Sequence, residues 1–600
     1  MHINPYLTQT ATRIHFRSVS QHSAPSLRDS NKNLIMKSFN QPIELIVDES
    51  LMAAKSATAN NLKKALQDAG VPVEFIQKKQ TRLPPKRGVQ SKNMPVTAPP
   101  SATYIRTKIS DAQMNPWDVA HLSGKALGRF VEPDLLNEFV SDNNNIHTGY
   151  KRKKAKIVSK ASADDNGYDP DWQPHRNLVW HLGDDFSQLK SAREAVADST
   201  YVVSIGHIDT GYSKTHPIIA DSIRKNPLQR SFVDGEDQLD AHDRMIGGGL
   251  KQPNHGTGTL GLLAGTLTKL QTDDGVFNDY LGGAWFADIV CCRIAPSVIL
   301  MKTSAFAEAL NYLTSLNQLG HPVHVVSMSM GGAPSKAWAK AVNAAYAAGI
   351  TLVTAAGNNF NGLPTQHVVY PARFKRVIAA CGVTHDFKPY FTKKIGEMRG
   401  CYGPDRHMDK ALGAFTPNTP WANSSGKISF SGAGTSSATP QIAAAAAIYY
   451  RKYHKELDAL QPWQRVEAIR HALYKTALKK VNGSGSYSSY FGNGILQANA
   501  ALGVPVNASL PQTPEDKVPW FPILNTLFKS IPGEGSARMQ MFNTELGQLV
   551  FHYPQLAKLI GNDERPYERV GKKKWKDFSD AVIEHPAASM ALKKFLMSTH

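Results

Sequence analysis

The chain has 600 residues, of which 42% are hydrophobic and 20% are charged, so it is long enough for several domains with their own cores. Its net charge is +19 at pH 7. No apolar run reaches the length of a membrane span, and the polar first residues lack the apolar stretch of a secretory signal. We therefore expect a cytoplasmic protein with no membrane span.

The positive charge is concentrated in three short runs, at residues 78–87, 151–156 and 572–576. Such runs can bind polyanions. They contain few interleaved aromatic residues, however, and match no nucleic-acid-binding module. We interpret them as solvated linkers or cleavage-prone loops, with nucleic-acid binding as the alternative.

Only four cysteines occur, and two of them, Cys291 and Cys292, are adjacent in an apolar run. This number and placement exclude a disulfide framework. We expect these two residues to be buried as small hydrophobic side chains in a reducing compartment.

The first elements of the chain alternate in a regular way after a polar tail at residues 1–41. The pattern predicts a domain over residues 42–140 with the order β-α-β-β-α-β, which is the split βαβ or ferredoxin-like arrangement. Gly70 ends its first helix, and Asn115 followed by Pro116 opens the second. The predicted strands lie at residues 43–47, 71–76, 102–109 and 129–135, and the first helix at 52–69.

A polar connector at residues 141–175 leads into a different pattern. Near-continuous apolar strands alternate with helices from residue 176 to about 503, which predicts an α/β domain with a parallel sheet covered on both faces. Reactive groups then collect at the carboxyl ends of the strands. Residues 504–600 begin with a Pro-rich joint and continue as a helical extension without a recognisable motif.

Three short segments of the α/β domain carry the residue types of a serine hydrolase. An alcohol needs an imidazole to take its proton and a carboxylate to orient that imidazole. Asp209 ends an apolar strand, and His255 opens a helix within Asn-His-Gly-Thr-Gly. Ser436 lies in Gly-Thr-Ser-Ser-Ala-Thr-Pro at the start of a further helix, whose amino terminus stabilises developing negative charge. His207 has no role in this set, and we expect it to pack or to form a hydrogen bond.

The order Asp, His, Ser and the three segments resemble those of the subtilisin-like (subtilase, S8) serine proteases. The family pattern around the nucleophile is Gly-Thr-Ser-x-Ala-x-Pro. Only Ser436 falls on its serine position, which excludes the neighbouring Ser437. The resemblance implies a subtilisin-like fold and an Asp209, His255, Ser436 triad in a serine endopeptidase.

Two further segments resemble the same family. Residues 354–358, Thr-Ala-Ala-Gly-Asn, are similar to the family's Ala-Ala-Gly-Asn segment, which implies that Asn358 donates to the oxyanion. Residues 327–332 are similar to its Met-Ser-Leu-Gly-Gly strand. This similarity implies that Ser329, Met330 and Gly331 bind an extended peptide substrate.

The N-terminal domain also resembles a known unit, because its last strand contains Val-Glu-Pro-Asp at residues 131–134. The inhibitory prodomains of subtilisin-like proteases often end in a similar segment. An inhibitor or folding chaperone, an adaptor domain and an unrelated fold all remain open for this domain. A regulatory partner or an activating signal is a further expectation, since an unrestrained protease would damage its own cell.

Two alternatives to an active protease remain open from the sequence. One is an inactive scaffold that retains the fold as a binding module, and the other is a polyanion-binding protein with a secondary protease domain. The chemistry of the triad requires no cofactor. Ca²⁺ is frequent in the family, but no Asp-rich loop is specific enough to assign a metal site.

Overall fold

The computed structural model describes residues 41–48, 59–77, 81–85, 87, 102–138, 178–244, 254–272, 275–298, 300–360, 367–392, 398–423, 425–480, 488–518, 535–560 and 572–598. These residues form an N-terminal antiparallel sheet with two helices, a central parallel sheet between two layers of helices, and a C-terminal group of helices. The predicted linker at 141–175, and the predicted tail apart from residue 41, lie outside the described residues.

The N-terminal sheet has the strand order β2-β3-β1-β4, and each neighbouring pair is antiparallel. This confirms the predicted ferredoxin-like arrangement. The first helix is described from Ala59 to Asp68, and the earlier part of its predicted range, residues 52–58, lies outside the described residues. A fifth strand continues from the sheet toward the central domain. The elements are β1 (Pro42–Asp48), α1 (Ala59–Asp68), β2 (Val73–Gln77), β3 (Ala102–Ser110), α2 (Pro116–Leu127), β4 (Val131–Pro133) and β5 (Leu136–Glu138).

Both ends of α2 follow from local sequence. The Asn115 side chain accepts a hydrogen bond from Trp117 N at 2.9 Å, with Pro116 at the first helical position. At the other end Gly128 adopts a left-handed conformation with φ 60°. Apolar residues of this helix, such as Val119, pack against the sheet in one buried cluster.

The central sheet has seven parallel strands in the order β18-β15-β13-β12-β6-β10-β7. Helices cover both faces, as the alternating pattern predicted. Adjacent strand residues point to opposite faces, so Cys291 and Cys292 are buried in two different core clusters. The sheet strands are β6 (Ser204–Asp209), β7 (Arg230–Ser231), β10 (Asp288–Arg293), β12 (Val325–Met328), β13 (Thr351–Ala355), β15 (Val377–Val383) and β18 (Ala411–Phe415).

Two helices on each face determine the position of the site. The helices α5 (His255–Ala264) and α8 (Thr435–Lys452) pack together on one face, and α6 (Thr303–Gln318) and α7 (Lys336–Ala347) on the other. The other helices of this region are α3 (Leu189–Glu194), α4 (Asp221–Arg224), α9 (His454–Asp458), α10 (Pro462–Thr476), α11 (Ser488–Phe491) and α12 (Ala498–Ala501).

Several short strands, which the sequence analysis did not predict, lie outside the main sheet. They form two hairpin-like pairs, a three-stranded sheet, and a strand that pairs with the N-terminal domain. They are β8 (Leu267–Thr272), β9 (Gly275–Tyr280), β11 (Leu300–Lys302), β14 (Asn358–Phe360), β16 (Phe391–Thr392), β17 (Met398–Gly400), β19 (Thr419–Ala422) and β20 (Ile428–Gly432).

The C-terminal helices are α13 (Gly535–His552), α14 (Pro554–Ile560), α15 (Lys572–Glu584) and α16 (Met590–Met597). They share an apolar cluster of their own, and α13 and α16 also contact α2 of the N-terminal domain. The helices described here include none long and apolar enough to cross a membrane.

Candidate active site

The carboxyl edge of the parallel sheet gathers the residues that the sequence singled out. Asp209 is the last residue of β6, and Ser329 follows the end of the neighbouring strand β12. The helices α5 and α8, which carry His255 and Ser436, begin at the same edge, where α/β proteins bind their ligands.

The side chains of Asp209 and His255 are in direct contact. His255 Nδ1 lies 2.8 Å from Asp209 Oδ1, and Thr210 N donates to the same oxygen at 2.7 Å. Burial alone would raise the pKa of Asp209, but the neighbouring imidazole and these hydrogen bonds hold this pKa below its ordinary value. The carboxylate therefore stays ionised and binds Nδ1–H, which leaves Nε2 of His255 as the proton acceptor.

The start of α5 is fixed by residues that the sequence analysis did not identify. Gly256 N donates to Thr210 Oγ1 at 3.0 Å, and the Thr210 hydroxyl donates to Asp243 Oδ2 at 2.9 Å. Asn254 adopts a left-handed conformation with φ 68° directly before the helix, and its N–H also donates to Asp243 Oδ2. The first turn of the helix is thus tied to the end of β6, and His255 with it.

An ion pair between the fully buried Arg293 and Glu236 also supports this arrangement. Arg293, at the end of β10, is fully buried and donates Nε and Nη2 to the two carboxylate oxygens of Glu236 at 2.8 and 2.9 Å. Its Nη1 donates to the backbone oxygen of Thr210 and lies 3.6 Å from Asp243 Oδ1. Such bidentate pairing fixes the geometry of the guanidinium group, which in turn holds the Thr210 backbone.

Ser436 is the second residue of α8, which begins at Thr435, one residue before the predicted start. Its Oγ donates to Ser329 O at 3.3 Å, and Ser329 Oγ donates to Ser436 O at 3.0 Å. Among the described residues, the hydrogen-bond acceptor of the Ser436 hydroxyl is thus Ser329 and not His255. Catalytic hydrogen bonds often tighten only with substrate bound. A rotation about the Cα–Cβ bond of Ser436 changes the direction of this hydroxyl.

The neighbouring Ser437 faces a different environment. Ser437 is fully buried, whereas 8% of the surface of Ser436 is exposed. Its Oγ donates to Ala433 O at 3.2 Å, within its own chain segment. Of the two serines, Ser436 is therefore the one with access to solvent.

Asn358 lies beside the start of α8. Its Oδ1 accepts hydrogen bonds from Thr435 N at 2.9 Å and from Thr435 Oγ1 at 3.2 Å. Gly434, the residue before the helix, has φ 73°, and a Cβ there would lie 2.7 Å from Asn358 Nδ2. Both hydrogen bonds use the amide oxygen, which leaves the Nδ2 donors of Asn358 for another acceptor.

The predicted substrate-binding residues follow β12 directly. Ser329 contacts Ser436 as described, and the Met330 side chain packs into the core of the α6 and α7 face. A Cβ on Gly331 would lie 2.4 Å from Val369, so only glycine fits there. The site therefore offers the backbone of residues 329–331 together with the side chain of Ser329, and not the side chain of Met330.

Three other histidines of the central domain lie in unrelated settings. His216 contacts the Lys427 backbone oxygen, His242 pairs with Asp240, and His367 contacts the Tyr402 oxygen. Within the described ranges, no group of three or more His, Cys, Asp or Glu residues could hold a metal ion.

The N-terminal domain contacts the same edge through two carboxylates. Glu132 accepts hydrogen bonds from Ser335 Oγ, Lys336 N and Ala337 N at 3.1, 3.2 and 2.9 Å, at the amino end of α7. Asp134 accepts from Ser304 N and Oγ at 2.8 and 2.7 Å, at the amino end of α6. Both carboxylates accept hydrogen bonds from N–H groups that have no partner within their own helix, and both lie at the positive end of a helix dipole.

The fifth strand of the N-terminal domain continues this contact. Its residues pair antiparallel with β11, from Leu136 opposite Lys302 to Glu138 opposite Leu300. Lys302 Nζ also binds Glu44 and Asp234. Since α6 follows β11 at once, the N-terminal domain adds a strand to β11 directly before the amino end of α6, in a two-stranded sheet separate from the central one.

An aspartate-paired histidine, with a serine in the first turn of the adjacent helix at the carboxyl edge of a parallel sheet, is typical of a serine hydrolase. Residues 201–494 match the model of the subtilase family. Subtilisin DY of Bacillus licheniformis is 28% identical over 300 residues, which are 50% of this chain and 90% of that protein. Subtilisin Savinase of Lederbergia lenta is 26% identical with the same coverage. A thermostable alkaline protease of Halalkalibacterium halodurans is 30% identical over 251 residues, 41% of this chain and 58% of that protein. With this central region the chain belongs to the subtilase family, and it is a serine endopeptidase.

Proposed function

We propose that the chain hydrolyses peptide bonds with Ser436 as nucleophile, His255 as general base and Asp209 as the carboxylate that orients His255. The observation that carries this proposal is the 2.8 Å contact between His255 Nδ1 and Asp209 Oδ1, beside the amino end of the serine-bearing helix. The buried and ionised carboxylate fixes the imidazole in the tautomer that the reaction needs.

The proposed reaction follows from the placement of these groups. A peptide lies extended along residues 329–331, and Ser436 Oγ attacks its carbonyl carbon while His255 Nε2 takes the hydroxyl proton. The tetrahedral oxyanion accepts hydrogen bonds from Ser436 N–H and the Asn358 amide. His255 then protonates the leaving amine, and water hydrolyses the acyl-enzyme by the same steps. No metal or cofactor takes part.

We further propose that the N-terminal domain restrains this activity. The support is its position, because Glu132, Asp134 and the strand β5 bind the edge of the sheet at which the proposed triad lies. A segment added as a strand at that edge competes with an extended peptide. Cleavage in the connector after the domain, which contains the basic run at 151–156, would release the restraint.

One experiment tests catalysis and self-processing together. The full-length Ser436→Ala chain should lose peptidase activity and labelling by a fluorophosphonate, with nearly unchanged thermal stability. Its mass spectrum should show the intact chain, whereas the wild-type chain should be cut in the connector. Adding His255→Ala should reduce activity hardly further, because the triad acts as a unit.

The matched control is Ser437→Ala, which should retain labelling and activity. Undiminished labelling of the Ser436→Ala chain would contradict the assignment of the nucleophile. An unlabelled and inactive wild-type chain would instead favour a scaffold that only binds its partners.

A further inference from the structure

The two oxygens of the Asp209 carboxylate have different partners. Oδ1 accepts from His255 and from the Thr210 backbone, whereas Oδ2 lies 3.2 Å from Thr259 Oγ1. Asp209 is completely buried, and a buried charge is costly unless its oxygens accept hydrogen bonds. Thr259 is thus the side chain in hydrogen-bond contact with Oδ2, the carboxylate oxygen that does not bind His255.

Thr259 lies one helical turn after His255, so both project from the same face of α5. It is fully buried, in a helix whose neighbouring side chains, such as Leu260 and Leu263, are apolar. Its hydroxyl has one proton and two acceptors at 3.2 Å, Asp209 Oδ2 and Gly256 O. A hydrogen bond to an ionised group is the stronger of the two, so the proton belongs on the side of Asp209.

His207 also determines the direction in which the hydroxyl proton of Thr259 points. It precedes Asp209 by two residues on the same face of β6, and its Nε2 lies 2.9 Å from Thr259 Oγ1. The buried Nδ1 of His207 has no hydrogen-bond partner among the described residues. An orphaned N–H donor is rarer than an orphaned acceptor, so the ring proton is on Nε2 and is donated to Thr259.

The ring of His207 stays neutral in this arrangement. Burial lowers its pKa to about 4; the Asp209 carboxylate opposes this effect and His255 adds to it. At neutral pH the ring therefore donates a hydrogen bond without placing a second cation beside Asp209.

We propose that His207 and Thr259 are positioning residues of the reaction, in which His207 Nε2–H donates to Thr259 Oγ1 and the Thr259 hydroxyl donates to Asp209 Oδ2. This inference rests on the proposed roles of Asp209, His255 and Ser436. The chain of hydrogen bonds stops the carboxylate from rotating away from His255, and its members polarise one another. Neither residue touches the substrate.

The first test removes the hydroxyl alone. Thr259→Val, which is similar in size, should lower kcat by about tenfold or more with KM nearly unchanged, because a hydrogen bond to a charged group is lost. Thr259→Ser should restore kcat to within about threefold of wild type. The matched control is Thr314→Val, which removes a buried hydroxyl bound to Leu310 O in α6 and should leave kcat unchanged.

The second test asks whether His207 acts through Thr259. His207→Leu should lower kcat, whereas His207→Gln, whose amide nitrogen replaces Nε2–H, should largely retain it. In a double-mutant cycle, His207→Leu should cost little more once Thr259→Val is present. A residue that only packs would instead lower the melting temperature without changing kcat, and its effects would add.

The outcomes separate this inference from the proposed triad. If Ser436→Ala is inactive but Thr259→Val keeps kcat within about twofold of wild type, the positioning role is wrong and the triad stands. Should Thr259→Val fail to fold, equal kcat for the Leu and Gln variants of His207 overturns the proposal by itself. An active Ser436→Ala chain would overturn both.

Discussion

Asn358 accepts hydrogen bonds from Thr435 through its amide oxygen, and we expect it to donate to the oxyanion through its amide nitrogen. Thr435 N and Oγ1 bind Oδ1, so the orientation of the amide is fixed and its N–H donors are left for the proposed oxyanion. Asn358→Ala should lower kcat by about 10²–10³ with little change in KM, since the hydrogen bond forms mainly to the transition-state oxyanion. Steady-state kinetics on a peptide substrate measures both constants.

A second variant at this position separates orientation from donation. Asn358→Asp keeps an oxygen for Thr435 but removes the N–H donors, so it should lose at least as much kcat as Asn358→Ala. An effect confined to KM in either variant would contradict the oxyanion role and would place Asn358 in substrate binding instead.

At the scale of elements, two helices of the central domain are capped by another domain. Asp134 takes the position that a local capping side chain would occupy at the amino end of α6. Glu132 binds further N–H groups at the amino end of α7, in addition to the local cap Ser335. Glu132 is fully buried by this contact, and burial outweighs its hydrogen bonds, so its pKa rises from the ordinary 4.5 to about 7. Between about pH 4.5 and pH 7, the docked domain therefore binds a proton that the free domain does not bind.

The pH dependence of docking follows from this shift. A carboxyl whose pKa is raised by docking favours the docked state fully below about pH 4.5, and this contribution is lost as the pH rises through about 7. In the Ser436→Ala background, amide hydrogen exchange of residues 131–138, corrected for intrinsic rates, should show weaker protection as the pH increases from 5 to 8. Glu132→Gln should remove this dependence, whereas the control Glu74→Gln on β2 should retain it. A wild-type profile that is flat or opposite in direction would contradict the prediction.

At the scale of the molecule, the C-terminal helix α13 contacts both other regions. Trp117 Nε1 donates to Gln548 Oε1 at 2.8 Å, and His121 Nε2 lies 2.9 Å from the buried Glu545. Gln548 Nε2 donates in turn to Pro334 O, next to the residues that Glu132 binds. The N-terminal domain is thus held from two sides, by the central domain and by the C-terminal helices.

Removal of the N-terminal domain should therefore affect activity and folding together. A chain that starts at Asp169 should be more active than the full-length chain, or should fold only when residues 1–140 are added in trans. In the chain that starts at Asp169, Met541 and Phe542 of α13 lose their partners on α2 and become exposed. Ending this chain at Val518 removes α13 as well and should therefore reduce aggregation. Peptidase assays and light scattering measure the two effects. Equal activity of both chains and the full-length protein, without inhibition by residues 1–140, would favour an adaptor role.

The sequence by itself was sufficient for features that depend on neighbouring residues. Apolar runs and their spacing predicted the strands of the N-terminal sheet and five of the seven strands of the central sheet to within a few residues, since burial of one or both faces imposes the period. The sequence also predicted that Asp209 ends a strand and that His255 and Ser436 lie at the starts of helices, because these positions are defined by the residues next to them. The two edge strands of the central sheet, β7 and β18, and the short strands outside that sheet were missed, as their pairing depends on segments far apart in the chain.

Only the tertiary structure decided which distant groups meet. The link from Thr259 to Asp209, the pairing of Arg293 with Glu236 and the capping of α7 by Glu132 join residues 50, 57 and about 200 positions apart. The sequence contains 21 histidines and many threonines and carboxylates, and no local pattern selects one partner among them. Strand register, helix packing and domain docking bring particular atoms to within hydrogen-bond distance, so the residues that orient the site become visible only in the folded chain.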